Sequence, residues 1–157
     1  MNIKHLITII MLLLAISCSK SPIELYELAE QELKQDNSNL AINNLKSLIS
    51  KHPNDSLASK AQYKLSSVYL NWEDEIPLGL EALKNTVSNY PNTIHAKQAQ
   101  KEIDRFPKFL LDKGESLRKQ KKLKESVDHL MYLTNHYSNT EIAPKGQYML
   151  GDVYMND

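Results

Sequence analysis

Apolar side chains recur along most of the chain at spacings of three and four residues, which is the period of an α-helix with one buried face. The clearest stripes are Leu40, Ile42, Leu45, Leu48 and Ile49; Leu80, Leu83 and Val87; and Leu123, Val127, Leu130 and Leu133. The stripes and the turn signals between them predict eight helices, at residues 23–35, 39–51, 56–71, 77–89, 94–105, 107–121, 123–136 and 141–155. Four Gly and six Pro in 157 residues leave little room for tight turns between strands, so we expect an all-α fold.

A seven-residue segment occurs three times without gaps, at residues 52–58, 90–96 and 137–143. Each copy is followed by a small residue three positions later and by an aliphatic residue four positions beyond that: Ala61 and Leu65, Ala99 and Ile103, and Gly146 and Leu150. The closest match joins residues 65–69 with residues 150–154. Internal similarity at this period is typical of a helical solenoid, in which each hairpin packs on its neighbours.

Small residues recur at matching positions of the predicted helices. The second helices of the hairpins carry Ala41, Gly79 and Ser126, and the helices before them carry Ala29, Ser66, Gly114 and Gly151. Two helices that cross at 8–10 Å require small side chains at the closest point. We therefore expect these residues to lie where the helices of a hairpin cross.

The repeat resembles the tetratricopeptide repeat. The residues that match its pattern are Leu150, Gly151 and Tyr154, the early alanine Ala41 of a second helix, and the prolines Pro53 and Pro91 that follow second helices. The Tyr-Pro-Asn-Thr form is similar to repeats of BamD-type outer-membrane assembly lipoproteins and of YbgF/CpoB-type periplasmic coordinators of the Tol–Pal system. The resemblance covers residues 23–154 and implies a right-handed superhelix of about three and a half antiparallel helix hairpins.

Three features depart from that pattern. Residues 72–77 stretch a turn that is short in the other hairpins, and residues 94–106 form an extra helix that Pro107 ends or kinks. The last helix has no hairpin partner, so it either caps the solenoid or has a free face that something else covers.

The N-terminus indicates export. Residues 1–17 contain Lys4, no acidic residue and an apolar run at 6–16, as in a secretory signal peptide. The run is too short to span a bilayer, since eleven residues cover only ~17 Å of a ~30 Å hydrocarbon core. Residues 15–18 resemble a lipobox, which implies acylation of Cys18, the single cysteine; an ordinary signal peptide that ends near a cysteine is the alternative. The predicted organisation is a cleaved signal at 1–17, a lipidated tether at 18–22 and a repeat domain at 23–157, and Ser19 favours the outer membrane by analogy.

Charge and motifs argue against several function classes. Loss of residues 1–17 removes one of 19 Lys and Arg and none of 19 Asp and Glu, which leaves a net charge of −1 and no sign of nucleic-acid binding. The five histidines lack metal-ligand spacing, and no phosphate-binding loop or nucleophile motif occurs. We expect no cofactor, no metal, no small-molecule substrate and no catalysis.

Two groups of side chains are candidate interaction sites. The first is a cluster of cations at a predicted helix–helix turn, which either attracts anionic lipid or an acidic partner or is simply a solvated turn. Its members are Arg118, Lys119, Lys121, Lys122 and Lys124. The second group is Tyr63 and Tyr148 with the preceding Gln62 and Gln147, which share one register on equivalent helices. These four residues either bind a peptide or pack between hairpins, because tyrosine serves both purposes.

These features predict a non-catalytic, lipid-anchored scaffold that faces the periplasm from the outer membrane and binds peptides or partner proteins, with outer-membrane protein assembly as the first candidate process. A Tol–Pal or cell-division coordinator is an alternative, although such a coordinator is expected to have a trimerising N-terminal coiled coil, which this sequence lacks. An accessory subunit of an envelope enzyme complex is a second alternative.

Overall fold

The computed structural model describes residues 20–156. The predicted signal peptide, the lipobox and Cys18 lie outside these residues. Between residues 20 and 156 the chain forms eight α-helices and no strand, which confirms the all-α, tetratricopeptide-like fold. The helices are α1 Pro22–Lys34, α2 Ser38–Lys51, α3 Ser56–Asn71, α4 Ile76–Asn89, α5 Ile94–Asp104, α6 Phe106–Lys119, α7 Leu123–His136 and α8 Ala143–Asn156.

The helix boundaries follow local sequence signals. A proline occupies the first turn of α1, α4 and α6, where its missing N–H costs no hydrogen bond. Pro107 therefore lies in the first turn of α6 and does not end α5, which already stops at Asp104. Asp36, Asp74 and Lys121 have positive φ angles of 58°, 57° and 63° and lie in the turns that join α1 to α2, α3 to α4 and α6 to α7. A left-handed residue after a helix lets the chain reverse, as expected for hairpin turns.

The structure divides into two compact units, and the division falls within α3. In the first unit, which extends to Ala61, α1 packs against α2. A capping box begins α1: the Ser21 hydroxyl accepts a hydrogen bond from the Glu24 amide at 3.3 Å, and the Glu24 carboxylate accepts one from the Ser21 amide at 2.7 Å. The buried apolar residues of these two helices are Leu25, Ala29, Leu33, Ala41, Ile42, Leu45 and Leu48.

The second unit begins at Gln62 and contains the rest of α3 and all later helices. Helix α4 packs against α5, α6 against α7, and α8 against both α7 and α6. The last helix is thus held by the preceding hairpin on one face. The buried apolar cluster of this unit consists of Leu70, Ile76, Leu80, Leu83, Ala99, Phe106, Leu110, Leu111, Leu130, Leu133 and Met149.

Glycines lie where helices approach closely. A Cβ atom on Gly79 would overlap the Leu70 side chain, and one on Gly114 would lie 2.8 Å from Leu130 Cγ. Ser126 belongs to the same crossing as Gly114, whose carbonyl accepts a hydrogen bond from the Ser126 hydroxyl at 2.7 Å. The prediction is wrong for Gly151, because no described atom lies within 4 Å of a Cβ placed there. The reason is that no described helix crosses that face of α8.

Candidate protein-interaction surfaces

Gln62 and Tyr63 of α3 both contact later helices of the second unit. Gln62 is buried, and its side-chain amide donates a hydrogen bond to the Ala82 carbonyl of α4 at 3.4 Å. The Tyr63 hydroxyl donates to the Glu102 carboxylate of α5, and the tyrosine ring lies 6.2 Å from the His95 ring. Burial, and secondarily the hydrogen bond to Glu102, raise the pKa of Tyr63 to about 12. These two side chains therefore make polar contacts from α3 to α4 and α5.

Gln147 and Tyr148 of α8 have the opposite environment. Both are exposed, and Tyr148 keeps 76% of its accessible surface. Tyr63 and Tyr148 therefore share a register but not an environment, and peptide binding by Gln62, Tyr63, Gln147 or Tyr148 stays a prediction. The physical reason is that α4 and α5 contact the relevant face of α3, whereas no described helix contacts that face of α8.

Further exposed apolar side chains extend the surface around Tyr148. Tyr154 and Met155 of α8 are 69% and 79% exposed, and Met131 of α7 is 43% exposed. The Tyr154 hydroxyl lies 3.9 Å from the Met131 sulfur, so the surface continues from α8 onto α7. Sequence reasoning did not select these three residues. The match of residues 65–69 with residues 150–154 identifies equivalent positions in α3 and α8. It does not show which of the two helices has this face covered by another helix.

The predicted basic cluster is mostly paired with acids. Arg118 of α6 forms an ion pair with Asp152 of α8, and both side chains are about 30% exposed. Lys119 pairs with Glu115 at 2.9 Å, and Lys124 with Asp128 at 2.9 Å. The hydrogen bond from Lys119 is the main reason that the pKa of the Glu115 carboxyl is lowered. The hydrogen bond to Asp128 is the main reason that the pKa of the Lys124 ammonium is raised.

The remaining two members of the cluster belong to the turn between α6 and α7. Lys121 is the residue of this turn with a left-handed backbone conformation. Lys122 follows it and is exposed, and its backbone amide donates a hydrogen bond to the Leu117 carbonyl at 3.0 Å. The backbone geometry thus accounts for the position of both lysines. Binding of the cluster to anionic lipid stays a prediction.

The surface carries an open groove in each unit. In the first unit the Lys60 ammonium lies 4.4 Å from the centre of the Tyr26 ring, and burial raises the pKa of that phenol. The groove there is lined by Tyr26, Glu27, Glu30, Gln31, Lys34 and Lys60. In the second unit a groove of about 470 Å³ follows α6, lined by Arg105, Lys108, Phe109, Asp112, Lys113 and Ser116. Its Lys108 and Asp112 pair with each other at 2.8 Å.

His129 is the one histidine that lies fully inside the described structure, with no exposed surface. Its Nδ1 lies 3.0 Å from the Glu125 carbonyl one turn earlier in α7, and its Nε2 lies 3.5 Å from the Asp74 carboxylate. Asp74 belongs to the stretched turn between α3 and α4, so this contact joins that turn to α7. Among residues 20–156, no group of three or more His, Cys, Asp and Glu side chains is arranged to hold a metal ion.

Repeated helix hairpins with small residues at their crossings define a helical-repeat protein of the tetratricopeptide class. Among the helices that the structure describes, none combines the length and apolar character needed to cross a membrane. The chain belongs to the outer-membrane lipoprotein family of the BamD type: the family model YfiO, described as outer membrane lipoprotein, matches residues 19–156. No curated protein matches the chain.

Proposed function

We propose that the protein is a non-catalytic scaffold, anchored by lipid on Cys18 to the periplasmic side of the outer membrane, that holds partner proteins during outer-membrane protein assembly. The family match supports this proposal because its description is that of an outer-membrane lipoprotein, and the match begins one residue after Cys18. The observation that carries the binding role is the exposed surface of Tyr148, Tyr154, Met155 and Met131.

This surface has the composition of an interaction site. Tyrosine offers a large contact area with a polar tip, and methionine adapts its shape to varied partners. Both residue types are enriched in protein interfaces compared with the rest of a surface. A continuous group of such residues across two packed helices therefore favours a macromolecular partner over a small-molecule substrate, which would need an enclosed pocket.

Site-specific photo-crosslinking in envelopes of the native host tests the proposal. A photoreactive phenylalanine analogue at position 148 should capture discrete protein partners, whereas the same residue at Trp72, which is 44% exposed in the same unit, serves as the matched control. The binding role would be refuted if positions 148 and 154 both gave only the diffuse background seen at 72. A crosslinked band that also forms from position 72 would indicate non-specific proximity.

A further inference from the structure

The ordered contacts of the first unit begin two residues after Cys18. Lys20 is already held, because the Nε2 atom of His52 donates a hydrogen bond to the Lys20 carbonyl at 3.2 Å. Ser21 follows as the N-cap of α1, with both hydrogen bonds of the capping box in place. The chain is therefore bonded to the fold from Lys20 onward, and Ser19 is the one residue between this point and the proposed lipid anchor.

This short connection limits how far the first unit can lie from the bilayer. Acyl chains on Cys18 would insert into the hydrocarbon core, which holds the cysteine near the boundary between acyl chains and headgroups. Two consecutive residues span at most about 7 Å in any conformation. A headgroup layer is about 5–8 Å thick, so Lys20 is confined to this layer or to its outer edge.

The contact between His52 and Lys20 also identifies which end of the α1–α2 hairpin lies next to the anchor. It places the start of α1 beside the end of α2. We call the surface at this place the tether end, and it consists of four exposed residues: Lys20, Ile23, Lys51 and Pro53. The opposite end of the hairpin carries the turn between α1 and α2, with the exposed Leu40 in the first turn of α2.

Ile23 gives the tether end an apolar side chain that the fold does not bury. It is 61% exposed and lies on the face of α1 opposite the buried one. The buried face consists of Leu25, Ala29 and Leu33. The other residues of the exposed face, at spacings of four, four and three from Ile23, are Glu27, Gln31 and Lys34. The apolar residue of this otherwise polar face thus occupies the helical turn nearest the anchor, where it can enter a lipid interface.

The charges of the tether end suit phospholipid headgroups. Glu24 is the acid next to it, and the hydrogen bond from the Ser21 amide to the Glu24 carboxylate is the main reason that the pKa of this carboxyl is lowered. The positive charge of Lys20 acts on the same carboxylate and offsets its charge. Lys51, exposed in the last turn of α2, then adds a positive charge that can contact a lipid phosphate.

We propose that the tether end is a membrane-contact surface. Ile23 enters the interface between headgroups and acyl chains, Lys51 contacts phosphate groups, and the α1–α2 hairpin stands with this end on the bilayer. The inference rests on the lipid anchor of the proposed function and adds a second contact between the protein and the membrane. It fixes the orientation of the hairpin, because Leu40 at the opposite end is then held away from the lipid.

Fluorescence quenching in vesicles tests the proposal on the full acylated chain. A nitrobenzoxadiazole dye is attached to Ile23→Cys, and acylation of Cys18 leaves this introduced cysteine as the one free thiol. The vesicles contain phosphatidylethanolamine and phosphatidylglycerol, together with a phospholipid that carries a nitroxide quencher near the start of its acyl chain. Leu40→Cys with the same dye is the matched control, since Leu40 is an apolar residue, 50% exposed, at the other end of the same hairpin.

We expect quenching at position 23 to be about three-fold or more stronger than at position 40, because Leu40 lies about 17 Å along α2 from Lys51. Insertion of about six Gly and Ser residues between Ser19 and Lys20 should remove most of this difference, since it lengthens the tether by up to about 20 Å.

Equal quenching at the two positions, or stronger quenching at position 40, would overturn the proposal. So would a difference that the insertion leaves unchanged, because the short tether would then not be its cause. A protein partner as the occupant of the tether end would leave position 23 unquenched in these vesicles. Mass spectrometry of the same samples separates the two proposals: acylated Cys18 with an unquenched position 23 refutes the membrane contact and retains the anchored scaffold, whereas an unmodified Cys18 refutes the anchor itself.

Discussion

Substituting leucine for glycine should have opposite effects at the helix crossings and at Gly151 of α8. Gly79 and Gly114 lie at closely packed crossings, where an added Cβ would overlap Leu70 or lie 2.8 Å from Leu130. Gly151 is also helical, but a Cβ there meets no described atom within 4 Å. The three variants Gly79→Leu, Gly114→Leu and Gly151→Leu therefore add the same side chain to the same type of backbone and differ only in the space available.

The expected magnitudes follow from two opposing terms. Replacing glycine by leucine in a helix lowers backbone entropy in the unfolded chain and gains roughly 0.5–1 kcal/mol. Overpacking at a filled crossing costs typically about 1–3 kcal/mol, because the neighbouring side chains must leave their rotamers. At Gly79 and Gly114 the cost exceeds the gain, so the free energy of unfolding should fall by roughly 0.5–2 kcal/mol. At Gly151 only the gain remains.

Thermal melts followed by circular dichroism measure the difference, with the mature Cys18→Ser chain as the parent. One kcal/mol corresponds to roughly 3–4 °C in a chain of this size. Gly79→Leu and Gly114→Leu should therefore melt a few degrees below the parent, and Gly151→Leu slightly above it. The assigned crossings would be wrong if the first two variants melted within a degree of the parent, or if Gly151→Leu lowered the melting temperature as much as they do.

Three other predictions concern separate parts of the chain. Cys18→Ser should release the protein from membranes, since several acyl chains on one residue anchor firmly; mass spectrometry of the mature N-terminus should find an acylated Cys18, and an unmodified peptide or an intact Met1 would contradict lipidation. The Tyr63 phenol should titrate near pH 12 by ultraviolet absorbance, with Tyr63→Phe identifying its signal. The fold favours the neutral phenol, so the contribution of Tyr63 to stability is complete below the ordinary pKa of 10.0 and is lost as the pH rises through about 12. Glu102→Gln should return the Tyr63 pKa only part of the way toward 10.0, since burial is the larger cause of the shift. Thr93→Ala should destabilise the start of α5 by about 1 kcal/mol, because the Thr93 hydroxyl accepts the Ala96 amide hydrogen bond at 3.1 Å, while Thr93→Ser should retain most of the stability in chemical denaturation.

The helices could be located from the sequence because their signals are local. Every predicted helix is present, and the predicted and observed boundaries differ by at most two residues at each end. The largest differences lie at the end of α6, where Lys121 adopts the left-handed turn conformation, and at the start of α8. Lysine adopts the left-handed conformation less often than glycine, so no local signal predicted that the helix ends before Lys121.

The environment of the candidate residues could not be read from register alone. Tyr63 and Tyr148 occupy the same position of the repeat, yet one is bonded to Glu102 and the other is exposed. The difference depends on which of the described helices pack on each face, and this is a property of the assembled hairpins. For the same reason Gly151 looks like a packing residue in the sequence and lies next to open space in the structure.

The departures from the repeat pattern are the places where polar contacts join distant parts of the second unit. The inserted turn brings Asp74 to 3.5 Å from the fully buried His129 of α7, and Asp152 of α8 pairs with Arg118, 34 residues earlier in α6. An acidic turn and a basic cluster are each expected to be solvated when considered alone. In the fold, Asp74 and Arg118 instead face partners that only the packing of non-consecutive helices supplies. Removing Asp152 would leave the partly buried Arg118 without this counter-charge, so the ion pair favours one arrangement of these helices over alternatives with the same apolar stripes.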